Sequence, residues 1–229
     1  MTTEAISPAV LHIRQAVLIA PALAGADVIV AGAGMLGSWT ALALARCAHS
    51  VTVYDFDTVE DVNAGTQAYS AEHLGLPKVE ALGLLAGGLP LRSVNTAFPL
   101  DQKPHEILGH RRRGRLVVVS AVDSFRVRRE VAAWARLHRA DLFVDTRAHG
   151  EVAVHMVVPP ERLRAYITNL ETDEGAPPAA CGMEGTAWVG MRVAADVTGH
   201  VNAYFKGLPV PYIEVTHTGH GETLRKEML

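Results

Sequence analysis

The 229-residue chain is 49% hydrophobic and 20% charged, enough to bury one substantial α/β core, so a single domain over 1–229 is expected. A formal charge of −3 gives no general attraction to nucleic acid or to an anionic membrane, and the one basic cluster, His110-Arg111-Arg112-Arg113 before Gly114, reads as a solvated loop. No apolar run approaches the roughly 18 residues of a membrane span and no basic-then-apolar leader opens the chain, so a cytoplasmic location is expected.

In chain order, a helix is expected around Ala9–Ile19, then a strand at Asp27–Ala31 and a helix at Leu36–Ala48. The helix Leu36–Ala48 contains Cys47, which reads as core. Strand Ser50–Tyr54, helix Lys78–Gly87 and strand Ser93–Ala97 follow, then strand Leu116–Ala121, helix Phe125–Arg139 and strand Leu142–Asp145. Strand Val152–Val158, helices Glu161–Asn169 and Gly185–Phe205 and strand Tyr212–Thr216 complete the pattern. Alternation of β-branched runs with helical spacing predicts a doubly wound, mostly parallel sheet, Rossmann-like, with helices on both faces. ETDEGAPPAACG, residues 171–182, is expected as a mobile loop, and the residues after about 217 as a short solvated tail. His217 and His220 in that tail make at most half a metal site. With only Cys47 and Cys181, a disulfide framework and a four-thiolate zinc site are both excluded within one chain.

The chemistry concentrates in VIVAGAGMLG, residues 28–37. Gly32 permits a tight turn out of the strand, Gly34 lets backbone approach a phosphate, and Gly37 lets the next helix pack closely with its N-terminal N–H groups facing the anion. Asp55 ends the following strand, where a carboxylate can accept from ribose hydroxyls. An NAD-linked oxidoreductase fits that pair as well as an adenylating enzyme does.

The residues that follow carry a resemblance. Asp55-Phe-Asp57 leads to Asn63, then Ala-Gly-Thr66-Gln67, then Gly75-Leu-Pro-Lys78. VVVSAVDSFRVR places Asp123 at a strand end with Arg128 five positions on, and HIRQ places Arg14 beside Gln15. Together with Cys181-Gly-Met-Glu before the last long helix, these stretches resemble the ThiF/MoeB/HesA family, relatives of the ubiquitin-activating enzymes. The resemblance implies ATP- and Mg²⁺-dependent adenylation of the C-terminal carboxylate of a small ubiquitin-like or sulfur-carrier protein. It also implies a crossover loop over 171–182, and a homodimer in which Arg14 reaches the partner's nucleotide.

On that basis Lys78 and Arg14 contact phosphates, Asp123 holds Mg²⁺, Asp55 binds the ribose and Asn63 positions phosphates. Displacement at the α-phosphorus spreads negative charge over phosphoryl oxygens, so cations aimed there supply most of the catalysis. Other readings stand beside these: Lys78 as a surface lysine, Arg14 as the partner of a nearby acid, Asp123 as a helix cap, Asn63 as a turn residue, Asp57 as a brace or a share of the site. Cys181 is a candidate for thioester or persulfide chemistry, or a small residue at a loop-to-helix joint.

The family's arginine falls on Thr66 here, its asparagine after the metal aspartate on Ser124, and its paired Cys-x-x-Cys motifs are missing, so no zinc is expected. Arg14, Arg128 and Arg147 are the cations that could fill the gap at Thr66. A non-catalytic relative that only binds nucleotide or a partner is the alternative.

Overall fold

The computed structural model describes residues 14–112, 114–170 and 186–229, apart from the side chain of Met228. Its centre is an eight-stranded sheet of β1 (Asp27–Ala31), β2 (Ser50–Asp55), β3 (Leu91–Asn95), β4 (Leu116–Ser120), β5 (Leu142–His149), β6 (Val152–Val158), β7 (Pro211–His217) and β8 (Glu222–Met228). The spatial order is β3-β2-β1-β4-β5-β6-β7-β8. The first five strands in that order are parallel, and β6, β7 and β8 add antiparallel pairings at one edge.

Consecutive residues of β1 are buried on both faces, which is why VIVA is a continuous apolar run and not an alternating one. Val28 and Val30 pack with α1 (Met35–Leu44), α2 (Lys78–Ala86) and the long α6 (Ala187–Phe205). Ile29 and Ala31 face the other way, toward α3 (Pro104–Leu108), α4 (Phe125–Leu137) and α5 (Leu163–Asn169). Helices therefore cover both faces, as the sequence pattern predicts.

Several places differ from expectation: β3 begins at Leu91 and not at Ser93, β5 continues past Asp145 to His149, the short helix Pro104–Leu108 has no counterpart in the expected pattern, and two further differences lie toward the chain ends. The residues after 217 are no tail: His217 lies in β7, and β8 pairs with β7 from Met228 opposite Pro211 to Glu222 opposite His217. ETLRKEM carries two acidic residues, Glu222 and Glu227, and two basic ones, Arg225 and Lys226, charges that keep a sheet edge soluble while hiding its strand pattern. The N-terminal helix is seen only as a turn over 14–18, its first residues lying outside the described ones.

The parallel order reverses between β1 and β4. In sheets of this kind the crevice beyond the C-terminal strand ends at such a reversal is where ligands dock, and Gly32 and Ala121 leave β1 and β4 at that point.

Candidate functional site at the glycine turn

Gly32 has φ +95°, and a Cβ there would meet the Ala121 carbonyl oxygen at 2.6 Å, so both conformation and space demand glycine. A Cβ on Gly37 would overlap the Gly32 carbonyl oxygen, so the first turn of α1 rests directly on the bend. Gly34, the N-cap of α1, has nothing within 4 Å of where its Cβ would be. That open face, with backbone N–H groups at a helix start, is the arrangement that receives an anion.

The carboxylate of Asp55 holds the turn in shape. Its Oδ2 accepts from the Ala33 N–H at 2.6 Å and its Oδ1 from the Asp57 N–H at 2.8 Å. Tyr69 donates its phenol to the Ala33 carbonyl at 2.7 Å. Burial first, then the negative charges of Asp55 and Asp57, raise the Tyr69 pKa and keep that donor protonated.

Lys78 is not a surface lysine. Its side chain is only 9% exposed and its Nζ donates to Asp57 Oδ2 at 2.8 Å, while Asp57 itself is 52% exposed. The backbone N–H of Lys78 also donates to the Asp57 carbonyl at 2.8 Å, and Thr58 bridges to Pro77, so the start of α2 is tied to the tip of β2. Asp57 thus acts as a brace for Lys78. Asn63 accepts from the Glu60 N–H at 2.9 Å inside a short helical turn, which spends its carbonyl and leaves its amide NH₂ as a donor.

Asp123 is exposed in the bend between β4 and α4. The cap of α4 is Ser124, whose hydroxyl accepts from the Val127 N–H at 3.3 Å, so the capping alternative for Asp123 falls away. Ala121 donates to the Ala31 carbonyl at 2.8 Å, which anchors this bend against the glycine turn. A magnesium ion needs only one or two carboxylates besides phosphate oxygens and water, and a single exposed carboxylate at this edge fits that requirement.

Three expectations need correction or relocation. Arg128 cannot supply the charge missing at Thr66: it is 4% exposed and pairs with the fully buried Asp145. It also donates to the carbonyls of Ser120, Val122 and Thr146, stiffening the bend that carries Asp123. Arg147 is likewise engaged, at 2.8 Å from Asp145 Oδ2 and over the Phe125 ring. Arg14 is exposed and lies at the opposite end of α1 from the glycine turn of its own chain. Its neighbour Gln15 donates to the Arg46 carbonyl just past the end of α1, at 2.8 Å. The ten residues of α1, about 15 Å of helix, separate that point from the glycine turn. Cys181 and the 171–182 segment lie outside the described residues.

Sequence reasoning did not single out Phe56, 69% exposed between the two aspartates, nor Gln67, whose buried Oε1 has no hydrogen-bond partner. Gln67 sits in the Ala-Gly-Thr-Gln run already quoted, and an aromatic between two strand-end acids was the signal for Phe56. Trp39 donates to the Thr66 carbonyl at 3.3 Å and contacts Gly190 of α6, where any Cβ would lie 2.5 Å from its ring. The loop bearing Gln67 is thereby fixed to α1 and α6. A depression of about 600 Å³ between Pro21, His49 and Arg115 lies at the opposite edge of the sheet, before β1 and β4 begin. Its lining carries none of the groups just described.

A reversed parallel sheet with a glycine turn after β1 and a carboxylate at the tip of β2 defines the class of α/β domains that accept nucleotides at the switch point. A sequence model of the ThiF family matches residues 20–210, and the chain belongs to that family. It is 28% identical over 131 residues to tRNA threonylcarbamoyladenosine dehydratase of Escherichia coli K12, covering 56% of this chain and 49% of that protein. It is 29% identical over 212 residues to the protein y4oA of Sinorhizobium fredii, covering 90% of this chain and 30% of that one. The chain therefore spans half or less of the length of these relatives. The fold is that of E. coli MccB, solved with ATP (TM-score 0.67, 16% identity, 93% of this chain and 66% of that), and of PaaA (TM-score 0.67, 16% identity, 88% and 64%). No helix among the described residues is long and apolar enough to cross a membrane.

Proposed function

We propose that this chain catalyses ATP- and Mg²⁺-dependent adenylation of the C-terminal carboxylate of a small ubiquitin-like or sulfur-carrier protein. The acceptor oxygen attacks the α-phosphorus, the bond to the pyrophosphate leaving group breaks, and an acyl adenylate forms. The reading rests above all on the open glycine turn after β1 and is supported by Lys78, paired with Asp57 just past the tip of β2, and by Asp123 in the bend after β4. In it, the amides at the start of α1 grip phosphate, Lys78 exchanges its exposed partner Asp57 for a phosphoryl oxygen, and Asp123 holds Mg²⁺. Asp55 accepts from the ribose through its remaining lone pairs, and Asn63 donates to phosphate through its amide.

Arg14 belongs to this site only if a second copy supplies it, and the active form is then a homodimer. The structures of MccB solved with ATP and with AMPCPP and MccA lend support, because that protein shares the fold. A cytoplasmic location, where ATP is abundant, accords with the reading. A nucleotide- or partner-binding relative without turnover is the second reading, favoured by Thr66 in place of the arginine and by the engagement of Arg128 with Asp145.

Exchange of labelled pyrophosphate into ATP, in the presence of a small protein ending in Gly-Gly, separates these. Adenylation predicts exchange that needs Mg²⁺ and disappears in Asp123→Ala at unchanged melting temperature. Exchange that survives Asp123→Ala overturns the site. ATP binding without exchange for any acceptor favours the second reading, and tighter binding of NAD than of ATP, independent of Mg²⁺, would indicate an oxidoreductase instead.

A further inference from the structure

On the antiparallel side of the sheet, far from the glycine turn in sequence, three ligand-type side chains meet. His155 of β6 stands directly opposite Glu214 of β7 in the register, and His200 comes down from α6. His155 Nε2 lies 2.9 Å from His200 Nδ1 and 3.9 Å from Glu214 Oε1, and His200 Nε2 is 3.8 Å from Glu214 Oε2. One donor nitrogen or carboxylate oxygen from each of the three falls within 4.8 Å of the others.

We propose that His155, His200 and Glu214 bind a divalent zinc-type cation that ties α6 to strands β6 and β7.

Three observations support this. Glu214 is fully buried, yet its Oε1 has no hydrogen-bond partner, an arrangement that costs free energy unless something else satisfies the oxygen. The two imidazoles share one N–H···N contact, and neither brings a proton to that oxygen within hydrogen-bond distance. Ligand atoms about 2.0–2.1 Å from a tetrahedral zinc sit roughly 3.3 Å apart, and the observed 2.9 and 3.9 Å bracket that separation.

The outer contacts fit as well. Arg225 of β8 donates from Nε to Glu214 Oε2 at 2.6 Å, which orients the carboxylate and leaves Oε1 for the cation. His200 keeps 17% of its side chain exposed, so the set borders solvent on that side. Two imidazoles and one carboxylate suit Zn²⁺, and a cation of the Mg²⁺ kind, which prefers all-oxygen shells, suits them poorly. The absence of paired cysteines, from which no zinc is expected, does not bear on a set drawn from three elements 45 and 14 residues apart in sequence.

A second triplet of Asp27, His49 and His110 also lies within reach of a common point. There, Asp27 Oδ1 already accepts from Ser50 at 2.6 Å and from His110 at 3.0 Å, so hydrogen bonds account for it.

The test uses the full chain stripped with EDTA and titrated with Co²⁺ alone, then with Zn²⁺ alone. Expected are the visible absorption bands of four-coordinate cobalt saturating at one equivalent, their bleaching by zinc, and a higher melting temperature with either ion. His200→Ala and the near-isosteric Glu214→Gln, both checked for native circular dichroism, should lose binding by more than tenfold, and Arg225→Gln should weaken it about 10–100-fold. His49→Ala should leave it unchanged. No saturable binding to the folded chain overturns the proposal, as does binding that survives both His200→Ala and Glu214→Gln or that disappears in His49→Ala.

Discussion

Replacing Gly34 by alanine separates the architecture of the turn from its use. Gly34 has φ −75° and ψ −154°, which alanine adopts, and nothing lies within 4 Å of the new methyl group. Folding stability should therefore change by no more than about 0.5 kcal/mol, with a small gain from the less flexible unfolded chain. The methyl group nevertheless occupies the face through which backbone would approach phosphate. Losing one hydrogen bond to a charged group costs about 1.5–3 kcal/mol, so ATP affinity should fall roughly 10–100-fold. The comparison is Gly37→Ala, whose methyl group would overlap the Gly32 carbonyl and must displace backbone, so that both stability and binding drop. Thermal unfolding and calorimetric titration with ATP, run on the same samples, read both quantities. Gly34→Ala binding ATP as tightly as the unmodified chain would refute the placement of the phosphates at this turn.

Lys78→Met should leave the melting temperature nearly unchanged, since the partner Asp57 is half exposed and free to rehydrate, while pyrophosphate exchange falls by at least about tenfold. Arg128→Ala should destabilise the fold by about 3–5 kcal/mol in chemical denaturation, because it strips the guanidinium from the fully buried Asp145, with Arg147 left to offset part of the loss. Mixing inactive Arg14→Ala with inactive Asp123→Ala should restore exchange if each site borrows Arg14 from a second copy; mixtures as dead as their components would argue against a shared site. Burial raises the pKa of Cys47, so in the folded chain at pH 8 iodoacetamide should label it more slowly than after denaturation, as read by mass analysis of the peptide that carries it.

The inner parallel strands β1, β2 and β4 were readable because each is a short, β-branched and largely buried run, and β1, from Asp27 to Ala31, has the bounds expected of it. The glycines of the turn announce themselves by spacing, and the topology then brings Asp55 and Asp123 to the same edge. Contacts between residues distant in sequence were not readable. Nothing local in Arg128 reveals that it will be buried against Asp145, 17 positions on, and its place in a family motif suggested a free cation. Lys78 after Pro77 has the look of an exposed helix start, and only the return of the chain past Asp57 encloses it. Strand β8 escaped notice because its charges mimic a solvated tail, and the histidine set because its members come from three separate elements.

The close seat of Gly37 on Gly32 has a thermodynamic corollary. With Asp55 clasping the Ala33 amide from the other side, the N–H groups of the loop hold their aim before any guest arrives. An arriving anion would freeze little additional motion in this wall of the crevice. The entropy of assembly would then be lost mainly by the parts that approach it from outside: the acceptor's own terminus and an arm lent by a neighbouring molecule.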